Sequence, residues 1–404
     1  MAPHEKKQGG YKATLPIVPL LHWLALFESL AFQEWGEFFI DDVAQILSGR
    51  DIYESERYAG NTPYISSTAK NNGIGHFVAN NNNTLEAGCL SVNRNGSVGY
   101  SFYHPYQGLF SNDCRKLRPF IKSKYVGIFL SNQITNQREK YNYGYKMGTA
   151  RLKRQKIMLP VDNDGKLDWQ FMEQYTKCLM DKKTAEHLEC CRKELAKLKF
   201  KTIEALEDKE WKEFFIGGKD GFFNISSTSS GIDKNKLNIT SENTDEYIPY
   251  ITRTDIQNGI NMFIPNQQDS KYKTDEGGLI TIGLDTQTVF YQPFKFFTGQ
   301  NIQVLRHENL NRWTASFLIP LLKVQMTKFN WGGNGATLGR LFRTKIMLPV
   351  TRDGMPDYEY MTQHMINLEY KKRKEFIDFS VNEKLSKPKA NKKIQRTLKS
   401  APLI

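Results

Sequence analysis

No run of about 18 or more apolar residues occurs in this 404-residue chain, so no membrane-spanning helix is expected. The most apolar part, Leu15 to Phe32, is broken by Pro16, Pro19, His22 and Glu28. Lys6, Lys7 and Lys12 precede it as in a secretory leader, but no small-x-small cleavage pattern follows. A docked amphipathic helix in a cytoplasmic protein is the expectation. Cysteine is scarce: Cys89, Cys114, Cys178, Cys190 and Cys191 are odd in number and form neither C-x-x-C nor a zinc-spaced cluster. Buried or idle thiols in a reducing compartment fit this usage.

Catalytic signatures are absent as well. Gly217-Gly218-Lys219 runs into Asp220 rather than Ser or Thr, which excludes a phosphate loop. The chain has no G-x-S-x-G elbow, no H-E-x-x-H and no protein-kinase set. It has no Asp/Asn-Pro-Pro-aromatic tetrad, which excludes an amino-methyltransferase site. Asp164-Gly165-Lys166 fits the loose D-x-K end of a nuclease site, but the matching Asp353-Gly354-Met355 lacks the lysine, so a turn is the better reading. The seven histidines show no metal spacing. No catalytic or metal-binding residue is assigned.

The formal charge is +13, which favours a polyanionic partner. Residues 371–400 hold eleven Lys/Arg against three Asp/Glu, so the tail carries most of the surplus. The remainder is only mildly basic.

What is present is a duplication. KIMLPV occurs at Lys156–Val161 and again at Lys345–Val350, 189 residues later. Each copy is followed by Asp-Gly, then Asp plus an aromatic (Asp168-Trp169, Asp357-Tyr358), then Met172 or Met361. Upstream, Glu34-Trp35 and Glu37 to Ile40 match Glu210-Trp211 and Glu213 to Ile216. Pro63-Tyr64-Ile65 matches Pro249-Tyr250-Ile251, and Leu117-Arg118 matches Leu305-Arg306. The period is far longer than a solenoid repeat of ~20–50 residues, so these are duplicated domains. Between the anchors the copies differ in sequence and length, as expected of one scaffold with diverged loops.

Strand-like runs (Cys89–Val92, Ser97–Tyr103, Leu279–Ile282, Thr288–Tyr291) alternate with polar turns such as 80–83 and 93–96. Lys124–Ile134 and Arg312–Met326 have helical apolar spacing. The segment 168–209 has no Gly or Pro, and Leu188, Cys191, Leu195, Leu198, Thr202 and Ala205 form a heptad seam. Its phase slips near 182–186, which predicts a stutter or a break there. A second Gly- and Pro-free stretch, 357–385, has a weaker seam. The expected fold is α/β (α+β), with two duplicated domains separated by two long antiparallel coiled-coil helices. The boundaries are an extension 1–33, domain one 34–167, spacer helix 168–209, domain two 210–356, spacer helix 357–385 and a basic tail 386–404, expected to lack structure.

Three polar patches stand out, two of them recurring in both copies. Ser66, Ser67, Thr68, Asn71 and Asn72 follow a strand, as do Thr252, Arg253, Thr254, Gln257 and Asn258. Hydroxyls, amides and Arg are the groups that read base edges or hold phosphates. Asn93, Arg94 and Asn95 offer a second tip. The third interleaves aromatics with bases: Tyr141, Tyr143, Tyr145 and Lys146 before Arg151, Lys153 and Arg154, against Phe329, Trp331 and Asn334 before Arg340 and Arg343. Such interleaving suits a surface that tracks a nucleic-acid backbone. Solvated turns and a half-buried strand with snorkelling Arg are the bland alternatives.

Two divergent α/β domains, each followed by a long helix, resemble the DNA-specificity subunit of type I restriction–modification systems, and the related type IIB specificity subunits. KIMLPVDNDGKLDWQFME and KIMLPVTRDGMPDYEYMT are similar to that family's strand–turn–helix junction, and Tyr64-Ile65 and Tyr250-Ile251 to its target-recognition domains. The resemblance covers roughly residues 34–385. It implies that each domain binds half of a split double-stranded DNA site, while the helices set the gap and dock DNA adenine methyltransferase subunits. S-adenosylmethionine chemistry then belongs to those partners, ATP and Mg to a restriction/translocase subunit of type I systems, and no cofactor to this chain. The rival readings are a restriction or methyltransferase enzyme with an unfamiliar site, and a duplicated protein-interaction scaffold.

Overall fold

The computed structural model describes residues 33–142, 144–228, 231–239, 246–330 and 333–386. The expected N-terminal helix and nearly all of the basic tail lie outside these residues. The chain divides into two compact units, 1–186 and 187–404.

In the first unit the strands are β1 (Trp35–Phe39), β2 (Ala44–Ser48), β3 (Ala59–Ile65), β4 (Ile74–Val78), β5 (Cys89–Asn93), β6 (Ser101–His104), β7 (Leu109–Phe110) and β8 (Cys114–Pro119). Helices α1 (Lys124–Thr135) and α2 (Thr149–Arg154), strand β9 (Lys156–Pro160) and helix α3 (Trp169–Leu195) follow. They form a two-stranded ribbon β1-β9, a four-stranded sheet β2-β8-β5-β6 and a three-stranded sheet β4-β3-β7. The predicted run from Ser97 is strand only from Ser101. Residues 93–99 are a turn, closed by Gly99 N–H donating to Asn93 O at 2.9 Å.

The second unit repeats this plan with β10 (Trp211–Phe215), β11 (Asn224–Ser227), β12 (Tyr247–Ile251), β13 (Ile260–Pro265), β14 (Leu279–Gly283), β15 (Val289–Gln292), β16 (Phe297–Thr298), β17 (Ile302–Arg306) and β18 (Lys345–Pro349). Its helices are α4 (Arg312–Met326), α5 (Leu338–Leu341) and α6 (Tyr358–Ser386). The sheets are β10-β18, β11-β17-β14-β15 and β13-β12-β16. Helix α4 spans the residues its apolar spacing predicts, and Asn311 caps it through Trp313 N–H and Thr314 N–H.

The KIMLPV repeat has a packing reason. Ile157 and Leu159 point inward while Lys156 and Met158 point out, and Ile346, Leu348, Lys345 and Met347 do the same. The inward pair joins Leu117, Leu130 and Met172 in the first core. Their counterparts join Leu305, Leu318 and Met361 in the second. The strand then turns through Gly165 (φ 72°) or Gly354 (φ 77°), a conformation glycine adopts without a Cβ clash. Asp168 and Asp357 begin the next helix by accepting from Phe171 N–H and Tyr360 N–H at 2.8 and 2.9 Å. The Asp164-Gly165-Lys166 triplet is therefore a turn, with Asp164 and Lys166 largely exposed.

The seam is only partly helical. Helix α3 runs unbroken through 182–186 but ends at Leu195, so Leu198, Thr202 and Ala205 lie beyond it. Side chains of α6 capture the backbone there. Asn367 accepts from Lys201 N–H at 3.1 Å and donates to Lys201 O at 2.6 Å. Gln363 donates to Lys199 O at 2.9 Å, and Tyr360 to Glu204 O at 3.1 Å. Partner numbers fall along α6 as they rise along the segment, from His187 against Phe376 to Glu204 against Tyr360, so the two run antiparallel. Replacing Asn367 by Ala is expected to destabilise by about 1–3 kcal/mol, because its Lys201 partners lose a buried amide. Urea unfolding, with limited proteolysis around 199–204, checks this.

Candidate nucleic-acid interface

The loop after β3 is built by three successive left-handed residues, Asn71 (φ 49°), Asn72 (φ 54°) and Gly73 (φ 76°). The loop after β12 repeats it with Gln257 (φ 49°), Asn258 (φ 58°) and Gly259 (φ 79°). Ser66 N–H donates to Gly73 O, and Thr252 N–H to Gly259 O, each at 2.8 Å. A Cβ on either glycine would press on Phe102 or Phe290, at 3.1 and 3.2 Å. Asn tolerates this backbone, and its amide is used to hold it. Asn72 donates to Tyr103 O at 3.3 Å and Asn258 to Tyr291 O at 2.7 Å.

The predicted patches meet. In the first domain Ser97 N–H donates to Ser67 O at 3.1 Å, and Asn93 donates to Thr68 O at 3.0 Å. Arg115 is buried between them and the third patch, donating to Thr149 at 2.7 Å and to Asn112 O at 3.0 Å. Burial, and then the neighbouring Arg94, lower its affinity for the proton. In the second domain Arg253 is ion-paired with Asp285, and Ala336 N–H donates to Leu284 O at 3.1 Å.

Several candidates turn inward. Asn93 is fully buried. Asn72 and Asn258 stay exposed while holding their own loops, Asn95 bonds Asp113, and Asn334 donates to Lys328 O at 2.9 Å. Arg151 donates to Lys146 O at 2.8 Å and Arg340 to Gly335 O at 2.9 Å, the same bond in the two copies. These side chains build the loops, because a turn's carbonyls need donors. Asn71, Gln257, Arg154 and Arg343 are exposed, while Ser66, Ser67, Thr68, Arg94, Lys146, Thr252 and Thr254 are half-buried. Arg253 is exposed yet already partnered. Tyr143 and Trp331 lie outside the described residues.

Sequence reasoning missed the groups that support these loops. His104 is buried, bonding Ser91 at 2.9 Å and Tyr106 at 3.2 Å, and Tyr106 accepts from Asn72. Burial pushes His104 down to about 4, so it is neutral at ordinary pH. Gln292 takes its place in the second domain, donating to Thr281 at 3.1 Å and to Asn258 O at 3.0 Å. Glu86 is gripped by Arg118 at 2.5 Å and by the buried Lys116 at 2.7 Å. The Arg118 hydrogen bond is the main reason its carboxyl falls to about 2. The counterpart Asp275 pairs with Arg306, and burial raises its pKa. The match of Arg118 with Arg306 in the repeat was the available signal.

All five cysteines are free, and burial pushes the Cys89 and Cys114 thiols up to about 12. Among the described residues no helix is long and apolar enough to cross a membrane.

The structure thus defines a duplicated α/β protein in which each domain carries a cluster of polar loops. The chain belongs to the type I restriction modification DNA specificity domain family, whose model matches residues 33–189 and 208–377, one copy per domain. It is 41% identical over 149 residues to the type II restriction enzyme BgcI specificity subunit S.BcgI of Heyndrickxia coagulans. That match covers 36% of this chain and spans 44% of the relative's length. The type I S subunit from M. genitalium is 13% identical with a TM-score of 0.43, covering 87% of this chain and 94% of that one. The HsdS subunit from Thermoanaerobacter tengcongensis is 12% identical with a TM-score of 0.29, covering 90% and 94%. These structural likenesses are too loose to transfer any residue.

His104→Gln adopts the second domain's solution and is expected to cost under about 1 kcal/mol, whereas His104→Leu strands Ser91 and Tyr106 and costs about 1–3 kcal/mol. Thermal melts of the two variants decide it. Glu86 has a folded pKa near 2, below its ordinary 4.5. Its contribution is therefore full above pH about 4.5 and is lost as pH falls toward 2. Glu86→Gln, which leaves Lys116 buried and unpaired, should lower the melting temperature at pH 6 and lower it less at pH 3.

Proposed function

We propose that the chain is the non-catalytic specificity subunit of a restriction–modification complex, each domain reading one half of a bipartite double-stranded DNA site. One observation carries this reading. The loop backbone is held in the same way in both domains, by Ser66 or Thr252 N–H on the glycine carbonyl and by Asn72 or Asn258 on the Tyr103 or Tyr291 carbonyl, while its tips differ: Ser67 against Arg253, Asn71 against Gln257. A fixed frame with changed tips suits two readers of unlike sequences.

Lys and Arg neutralise phosphates, giving salt-dependent affinity that ignores sequence. Loop side chains read base edges in the major groove, each good bidentate pair giving ~1–3 kcal/mol of discrimination. Arg253, held by Asp285, is the best-placed reader in the second domain, and Arg94 suits phosphates. The 27-residue α3, about 40 Å long at ~1.5 Å per residue, and α6 serve as a coiled-coil spacer that fixes the half-site gap and docks DNA adenine methyltransferase subunits. Those subunits supply S-adenosylmethionine chemistry. A type I assembly adds a restriction/translocase subunit with ATP and Mg.

Selection from a random DNA pool, with the chain co-expressed with its modification subunit, tests this. The expected result is a split motif with a fixed gap. Arg253→Ala should then relax one position of one half-site, by about 1–3 kcal/mol. Equal weakening on every sequence would make Arg253 a phosphate contact. A continuous motif, or none, would sink the two-headed reading and favour a protein-interaction scaffold. Methylation or cleavage by the purified chain alone would favour an enzyme.

A further inference from the structure

The outer face of the β1-β9 ribbon carries Glu37 opposite Met158 and Phe39 opposite Lys156. The outer face of β10-β18 carries Glu213 opposite Met347 and Phe215 opposite Lys345. All four side-chain types are identical in the two copies, and all are exposed. Their contacts repeat too. Lys156 pairs with Glu37 at 2.9 Å and lies 5.6 Å from the Phe39 ring, and Lys345 does the same at 2.8 and 5.1 Å.

Folding does not require this identity. Inward positions are held by the core, but an exposed Met or Phe on a ribbon could be any strand former. An exposed loop tip, Asn71 in one domain and Gln257 in the other, has diverged. An outward face held constant while its neighbours change is a face with a common ligand.

Its margin carries spare positive charge. Lys140 hydrogen-bonds Gln137 and also acts on Glu37, while Lys328 hydrogen-bonds Gln325 and has no ion pair among the described residues. Arg154 and Arg343 have no carboxylate partner among them. In the second domain Lys328, Arg343, Lys345 and Met347 line one hollow of about 400 Å³ together with Glu213. A DNA backbone has no use for exposed Phe and Met. An apolar side chain flanked by carboxylates complements the whole face.

We propose that this ribbon face, present once on each domain, docks two copies of one partner protein that offers an apolar side chain ringed by carboxylates. Resting on the reading above, that partner is the modification subunit, docked at the domains as well as at the helices.

The test is native mass spectrometry of the full chain co-expressed with the modification subunit, beside binding to a non-specific duplex. The wild type is expected to carry two subunits. Lys156→Glu with Met158→Glu should leave one, and adding Lys345→Glu with Met347→Glu should leave none, with at least tenfold weaker association at each site. Duplex affinity should stay within about twofold. Phe39→Ser and Phe215→Ser carry the same test should the glutamates disturb the ribbon. Two subunits retained by the fourfold variant would overturn the docking face and leave the DNA reading intact. Lost duplex affinity with both subunits retained would make the face a phosphate contact and overturn it likewise. A wild-type chain that takes up no subunit would overturn both readings.

Discussion

Everything in each domain depends on one strand pairing, that of its first strand with its last. Five residues of β1 pair antiparallel with five of β9, Trp35 with Pro160 through Phe39 with Lys156. β10 and β18 pair in the same register, Trp211 with Pro349 through Phe215 with Lys345. This pairing brings the entry and exit of the domain side by side. Once the ends are tied, the cost of closing the intervening chain grows only slowly with its length. The loops between can lengthen and change without moving the helix that follows. The inward Ile and Leu of KIMLPV lock the closing strand to the core, and the capping Asp sets the helix start. The inward residues of the most repeated sequence in the chain are thus the ones that cannot change without losing the domain.

The duplication, the closing strands, helix α4 and the polar loops were legible in the residues, because each rests on local pattern. Periodicity reports which positions face a core, and Asn-Gly reports positive φ. What could not be read was where each polar side chain spends its hydrogen bonds. Asn72 and Asn258 look like base readers in sequence, yet they hold carbonyls of their own fold. Arg151 and Arg340 look like phosphate ligands, yet they staple a turn. The heptad seam past Leu195 failed for the same reason. Its spacing is correct for a helix, but Asn367 and Gln363 offer the backbone partners that compete with helical hydrogen bonds. Such partners lie about 165 residues away, as with Lys201 and Asn367, beyond any local window.

The two copies also solve one polar problem in different ways. Each needs a buried group behind the left-handed loop: His104 with Ser91 in one domain, Gln292 with Thr281 in the other. Each needs an acid beneath the Arg of its central strand: Glu86 with Arg118 and Lys116, Asp275 with Arg306. At Glu86 the Arg118 hydrogen bond by itself outweighs desolvation, whereas at the more deeply buried Asp275 desolvation outweighs what Arg306 contributes, so the shifts are opposite. Drift is permitted in the chemistry of a support as long as every buried donor and acceptor finds a partner.

Identity between the copies therefore means different things at different depths. In the core it reflects volume and pattern, and replacements such as Met147 for Ala336 occur even there. In the loop scaffold it reflects backbone geometry, which survives a change of side chain. On the exposed ribbon neither constraint applies, since Lys156 and Met158 fill no void and hold no turn. Identity there is left to be explained by something outside the chain, met in the same way by both domains. Variation at the loop tips is explained by something outside that differs between them. One duplicated scaffold can serve both demands because the closing ribbon and the loops are separate parts of it, and a change in one leaves the other in place.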